Sequence, residues 1–128
     1  MGKYNNKVVE NIFGRFDSTD EYRRFLFLKD AEQLGEISNL RRQVKYVLLP
    51  QQKKIVIKHL KTKDKEVERE VAPAYTYTAD FVYEKRNGET VVEDFKGYPN
   101  DRWTMKKAMM YYFHGIEVRE VKRPAEPI

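Results

Sequence analysis

The sequence predicts a mixed α/β (α+β) fold: a central mixed β-sheet flanked by two helices, with a protruding basic β-hairpin arm. Three observations carry that expectation. Apolar and polar residues alternate over 55–60 and 66–71 and imperfectly over 37–49, the period of half-buried strands, and 75–84, 89–96 and 116–121 also read as strands. Two stretches, from Ser18 and from Asn100, show apolar residues at helical spacing behind a capping side chain and ahead of a glycine. The 41% hydrophobic and 35% charged residues then describe an ordered, well-solvated chain whose 128 residues fill one domain, 1–128.

In chain order, residues 1–11 read as a tail, followed by a short apolar patch of Ile12, Phe13 and Phe16 around Gly14. Ser18 with Glu21 three residues on is a capping-box pattern, and Phe25, Leu28 and Ala31 continue one face until Gly35 stops the helix. Glu21 is then a cap partner for the Ser18 backbone. It also precedes Phe25 and Leu28 by four and seven residues, so its carboxylate stands at the upper end of the inward face, where it can approach a sheet. Along 37–49, Val44, Tyr46 and Leu48 oppose Gln43, Lys45 and Val47, and Pro50 ends the strand. Gln43 is a secondary candidate for a polar site, against the simpler reading of a surface glutamine.

The runs at 55–60 and 66–71 pair across 61–65 as the basic arm, which spans about 51–71; His59 stands in it without a metal-binding companion. Pro73 separates the arm from the next two strands. After residues 98–101, a turn, Asn100 or Asp101 caps a second helix running to about Phe113. Trp103, Lys107 and Met110 lie on one flank of it, with Met109, Tyr112 and Phe113 adding apolar bulk. His114-Gly115 ends it, 116–121 is a closing strand, and 122–128 is a tail.

Composition excludes several classes of function. With 0 cysteines there is no disulfide framework, thiolate zinc site or cysteine nucleophile. No glycine-rich phosphate loop is present, so no nucleotide cofactor is expected. No apolar run has the length of a signal peptide or a membrane span, which leads us to expect a cytoplasmic protein with no membrane partner. The net charge of +5 is unevenly placed. Arg41, Arg42, Lys45, Lys53, Lys54, Lys58, Lys61, Lys63 and Lys65 are opposed within their stretch by Asp64 alone, a pattern suited to following phosphates. The plainer alternative is a solvated arm whose lysines protect a sheet edge from aggregation.

Chemistry concentrates in 77–81 and 91–97. The first run carries Asp80, and the second carries Glu93-Asp94-Phe95-Lys96-Gly97. Carboxylates brought together repel unless a cation lies between them, and an adjacent lysine can steady developing negative charge, the minimum for metal-assisted phosphodiester hydrolysis. Alternation puts Asp94 and Lys96 on one face of their strand and Glu93 on the other, so Glu93 is left out of the site. Asp80 joins them only in one register. A two-residue turn at Asn87-Gly88 sets Asp80 against Phe95; a three-residue loop, Arg86-Asn87-Gly88 with Gly88 left-handed, sets it opposite Asp94. The second is expected here, although Asn-Gly more often marks the first.

This order of parts resembles the PD-(D/E)XK nuclease superfamily, and in particular its small phage-encoded, Holliday-junction-resolvase-like branch. It comprises a helix bearing Glu21, an Ala79-Asp80-Phe81 strand, a Glu93-Asp94-Phe95-Lys96-Gly97 strand, then a helix and a strand. The resemblance implies a restriction-endonuclease-like core and a metal-dependent DNA endonuclease. It implies that Asp80 and Asp94 bind Mg²⁺ or Mn²⁺ with the Phe95 carbonyl, that Glu21 joins them, and that Lys96 orients the attacking water or stabilises the phosphorane. Ala79 stands where the family name has proline. Branched DNA cut by a homodimer is the implied substrate and state, in the host cytoplasm for a phage protein. Arg41, Arg42, Lys53, Lys54, Lys58, Lys61, Lys63 and Lys65 are the expected DNA contacts. The alternatives are a nicking or non-specific DNase and a nucleic-acid-binding module that keeps the fold without useful catalysis.

Overall fold

A computed structural model describes residues 7–95 and 100–128 of the chain. The described residues form β1 (Val9–Asn11), β2 (Gly14–Phe16), α1 (Thr19–Gln33), β3 (Ile37–Leu49), β4 (Gln52–His59), β5 (Asp64–Ala72), β6 (Tyr75–Lys85), β7 (Thr90–Phe95), α2 (Asp101–His114) and β8 (Arg119–Val121). The fold is mixed α+β, mostly sheet, with an open four-stranded sheet in the order β3-β6-β7-β8. Strand β7 runs antiparallel to β6 and parallel to β8. The chain falls into two compact units, Met1–Val44 with Thr78–Ile128, and Lys45–Tyr77.

In the first unit the helices begin where the sequence places them. Ser18 is the N-cap of α1 and its Oγ accepts the Glu21 N–H at 3.1 Å; Asn100 caps α2 and accepts the Trp103 N–H at 2.9 Å. Phe25, Leu28 and Ala31 of α1 pack on Phe81, Tyr83 and Val91 of the sheet, with Phe16 and Ile37 completing the cluster. Burying side chains of this size stabilises the fold by roughly 1.5–3 kcal/mol each. On the other face of the sheet Val82 and Val92 are buried, and Trp103 and Lys107 of α2 both reach Glu120, the register neighbour of Asp94 on β8. Helix α2 therefore lies on the Asp94 side.

The β6–β7 register decides where the acids go. Phe81 pairs with Glu93, Val82 with Val92, Tyr83 with Val91 and Glu84 with Thr90. Asp80 and Asp94 are the next residues outward from the Phe81–Glu93 pair, where the ladder ends. The loop between is Arg86-Asn87-Gly88, closed by Lys85 N–H to Glu89 O at 2.8 Å and Gly88 N–H to Lys85 O at 3.0 Å, with Gly88 at φ +89°. The longer of the two expected turns is the one formed. A side chain at Gly88 meets no atom but must adopt that left-handed backbone. Gly88→Ala is therefore expected to lower stability by about 1 kcal/mol, read from the urea midpoint.

Glu93, on the opposite face, is fully buried and accepts a forked pair from Arg24, Nε to Oε1 at 2.7 Å and Nη2 to Oε2 at 3.0 Å. The Tyr83 hydroxyl donates to Oε2 at 2.6 Å, and burial followed by the Glu93 charge pushes that phenol's pKa well above its ordinary value. Arg24 also donates to the Pro124 and Glu126 carbonyls, so one guanidinium ties α1 to β7 and to the C-terminal segment.

Several expectations are corrected. Residues 9–16, read as the end of a tail and a short apolar patch, form a two-stranded hairpin with Val9 paired to Phe16, too short to show a period in sequence. The last strand is only Arg119–Val121. Tyr112 and Phe113 do not add to the core: they are 81% and 49% exposed, because α2 buries only the narrow line through Trp103 and Met110, and Tyr112 stands about 200° round the helix from Met110.

In the second unit β4 and β5 pair antiparallel, with Leu60 N–H to Lys63 O at 2.9 Å closing the tip. Tyr46 and Tyr77 stack at 6.5 Å, and Leu48 and Tyr77 are buried.

Candidate functional site

Glu21 closes its capping box one residue early. Its carboxylate Oε2 accepts a backbone N–H at 2.9 Å, but that of Asp17, one residue ahead of the capping-box donor. The side chain is also 4% exposed and hydrogen-bonded to the carboxyl of Asp80. A bond between two carboxyls needs a proton. Burial first, then the Asp80 charge and the shared bond, push Glu21 up to about 8.

Asp80 is fixed from both neighbouring strands. Its Oδ1 accepts Gln43 Nε2 at 3.2 Å, and its Oδ2 accepts the Phe95 N–H at 2.9 Å. Asp94, one residue before Phe95, is 1% exposed. Lys96 and Gly97 lie outside the described residues, as do Tyr98 and Pro99 of the expected turn.

Two residues of β3 complete the surroundings. Gln43 has φ +53°, a left-handed conformation costing a non-glycine residue roughly 1–2 kcal/mol, and its side chain meets Asp80. The imperfect alternation of this strand is the one sequence sign of that kink. Arg42 lays its guanidinium 3.7 Å over the Phe16 ring and donates to the Phe13 carbonyl at 3.2 Å and the Arg15 carbonyl at 2.6 Å. Burial lowers its pKa while the charges of Glu21, Asp80 and Asp17 oppose that shift, so it is the cation beside the acid pair. A Cβ on Gly14, at φ +114°, would stand 2.9 Å from Arg42 Nη1, which gives that glycine two reasons to be one.

The remaining expected DNA contacts divide by location. Arg41 pairs with Glu84 at 3.4 Å, and Lys53 with Glu68 at 3.3 Å. Lys54, Lys58 and Lys65 project exposed from β4 and β5, and Lys61 and Lys63 from the tip. One polar group falls outside the motif reading. Glu120 accepts Trp103 Nε1 and Lys107 Nζ, each at 2.7 Å, and those bonds, Lys107's first, pull its pKa down.

Among the described residues no three His, Asp or Glu side chains converge as a ready-made metal site. The pair that does meet, Glu21 with Asp80, offers only oxygen donors, the kind hard divalent cations take, and the raised pKa of Glu21 favours its protonated form at neutral pH.

That proton has a consequence for stability. Glu21 ionises near 4.5 when unfolded and near 8 when folded, so between those values the folded chain keeps a proton that the unfolded chain has released. Stability is full below the lower value, falls as pH rises through the window, and levels off above the upper one, a loss on the order of a few kcal/mol. Urea titrations across the window should show that slope in the wild type and lose it in Glu21→Gln.

These features define a mixed α+β protein with a carboxyl pair at one end of a hairpin inside an open sheet. The chain belongs to the family described as Protein of unknown function (DUF1064), which matches residues 1–124. No curated protein and no solved structure matches the chain significantly.

Proposed function

We propose that this chain is a divalent-metal-dependent DNA endonuclease with a PD-(D/E)XK, restriction-endonuclease-like core, acting on branched DNA such as a recombination junction. The observation that supports this most is the three-residue loop at Arg86-Asn87-Gly88, whose register makes Asp80 and Asp94 the residues just beyond the Phe81–Glu93 pair, with Asp80 Oδ2 on the Phe95 N–H and Glu21 of α1 beside Asp80. Nothing in the packing of a core calls for acids to gather at that point, because gathered carboxylates raise one another's pKa and weaken the fold.

In this reading Asp80, Asp94, Glu21 and the Phe95 carbonyl would hold Mg²⁺ or Mn²⁺. The ion supplies Lewis acidity to the phosphate and a lowered pKa to the attacking water. The chain supplies orientation: Gln43 and the Phe95 N–H fix the two oxygens of Asp80, so its geometry is set in advance. Arg42 offsets part of the negative charge. Lys96, two residues beyond Asp94 in sequence, would stabilise charge gathering on the phosphate. Two such sites in a homodimer would cut two strands about a dyad.

The test is a cleavage panel of four-way junction, flap, linear duplex and single strand, with Mg²⁺, with Mn²⁺ and with chelator. Metal-dependent paired nicks in the junction are expected. Cutting of all four substrates alike would make the protein a non-specific DNase, and no cutting of any would leave at most a binding module.

A further inference from the structure

The β4–β5 hairpin segregates its charges by face. Directly opposed residues of an antiparallel pair share a face, and faces alternate along each strand. The pairs Lys53↔Glu70, Ile55↔Glu68, Ile57↔Glu66 and His59↔Asp64 make one face; Lys54↔Arg69, Val56↔Val67 and Lys58↔Lys65 make the other. The first face gathers the acids of the hairpin, held by Gln51 to Glu70 at 2.7 Å, Lys53 to Glu68 at 3.3 Å and His59 to Asp64 at 2.7 Å. The second carries Lys54, Lys58, Lys65 and Arg69 with no acid among them. All of these cations are exposed, and none forms an ion pair with a described carboxylate.

That arrangement is costly in the free protein. Like charges set directly opposite destabilise a ladder, and here Lys58 faces Lys65 while Lys54 faces Arg69. An arm charged only for solubility or to guard its edges needs no such sorting, since interspersed signs serve both ends. We propose that the Lys54, Lys58, Lys65 and Arg69 face of the hairpin is a docking surface for the phosphate backbone of duplex nucleic acid, the acidic face being turned away from it; naming the polyanion as nucleic acid rests on the nuclease reading above.

Geometry and chemistry select the duplex. A two-stranded ribbon fits the B-DNA major groove, and its charged rungs lie four residues apart, about 13 Å along the strand, so that they reach separate phosphates. The face holds no aromatic side chain on which unpaired bases could stack, and between its charged rungs only Val56 and Val67, so contacts to the backbone dominate. Val56 and Val67, half-buried between the rungs, keep it flat. Arg69 is thereby added to the expected contacts and Lys53 removed from them.

The test measures anisotropy of a labelled duplex of about 20 base pairs across a salt series, in chelator so that nothing is cut. Lys58→Ala/Lys65→Ala is expected to weaken binding about tenfold or more and to reduce the slope of log K against log salt by about 2. Lys53→Ala, which removes a charge of the same strand from the other face, is expected to leave the slope unchanged. The proposal is overturned if Lys53→Ala acts like a single basic-face change, if the double variant binds as the wild type does, or if the wild type ignores duplex while binding polyglutamate or anionic vesicles. Loss of affinity in the double variant beside a wild type that cuts nothing with Mn²⁺ would uphold the docking face and refute the nuclease. Unimpaired binding beside metal-dependent cutting would do the reverse.

Discussion

Arg24→Met is expected to cost about 3–5 kcal/mol of stability, because it strands the Glu93 carboxylate in a place with no water to receive it. Both side chains are fully buried, and the fork between them is reinforced by the Tyr83 hydroxyl and by the Pro124 and Glu126 carbonyls on the guanidinium. The pair itself is worth far less than its breaking, since each ion gave up hydration to form it. Arg24→Met/Glu93→Leu should therefore recover much of the loss, and urea unfolding of both single variants with the double would show coupling of opposite sign to the single losses. A loss below about 1 kcal/mol in Arg24→Met would mean that water reaches Glu93 and that the pair does not anchor α1.

Asp94→Ala is expected to lower metal-dependent cleavage by more than about a hundredfold while leaving duplex affinity in chelator within about twofold. Changing a residue that merely supports a metal ligand already costs 10–100-fold in many sites, and Asp94 is proposed as a ligand itself. Affinity should survive because the cations proposed to hold the backbone are on β4 and β5, separate in sequence from β7. Parallel loss of both properties, with an unfolding midpoint much below the wild type, would instead make Asp94 a structural residue of the sheet.

Much of this architecture was legible because its signals are local. Ser18 and Asn100 cap helices for reasons contained within three residues, and the strands β4 and β5 show their period directly. The β6–β7 register followed from a choice between two turns, either of which Gly88 can satisfy. What stayed hidden depends on partners distant in sequence. Arg24 lies 69 residues from Glu93, and an arginine next to an inward phenylalanine reads as surface. Gln43 needed a left-handed backbone that sequence does not announce at a glutamine. Tallying charges from Arg41 to Lys65 stopped short of Glu66, Glu68 and Glu70, and only the β4–β5 register shows that these lie across from Ile57, Ile55 and Lys53, leaving the other face basic.

Titration of Mn²⁺ into the protein, followed by calorimetry near neutral pH in buffers of different ionisation heat, reads the cation trap without any nucleic acid. Binding that releases a proton from Glu21, with Asp80→Asn/Asp94→Asn losing the ion, is the predicted result. A wild type that takes up no Mn²⁺, or takes it up equally well after both acids are replaced, would contradict the proposed site.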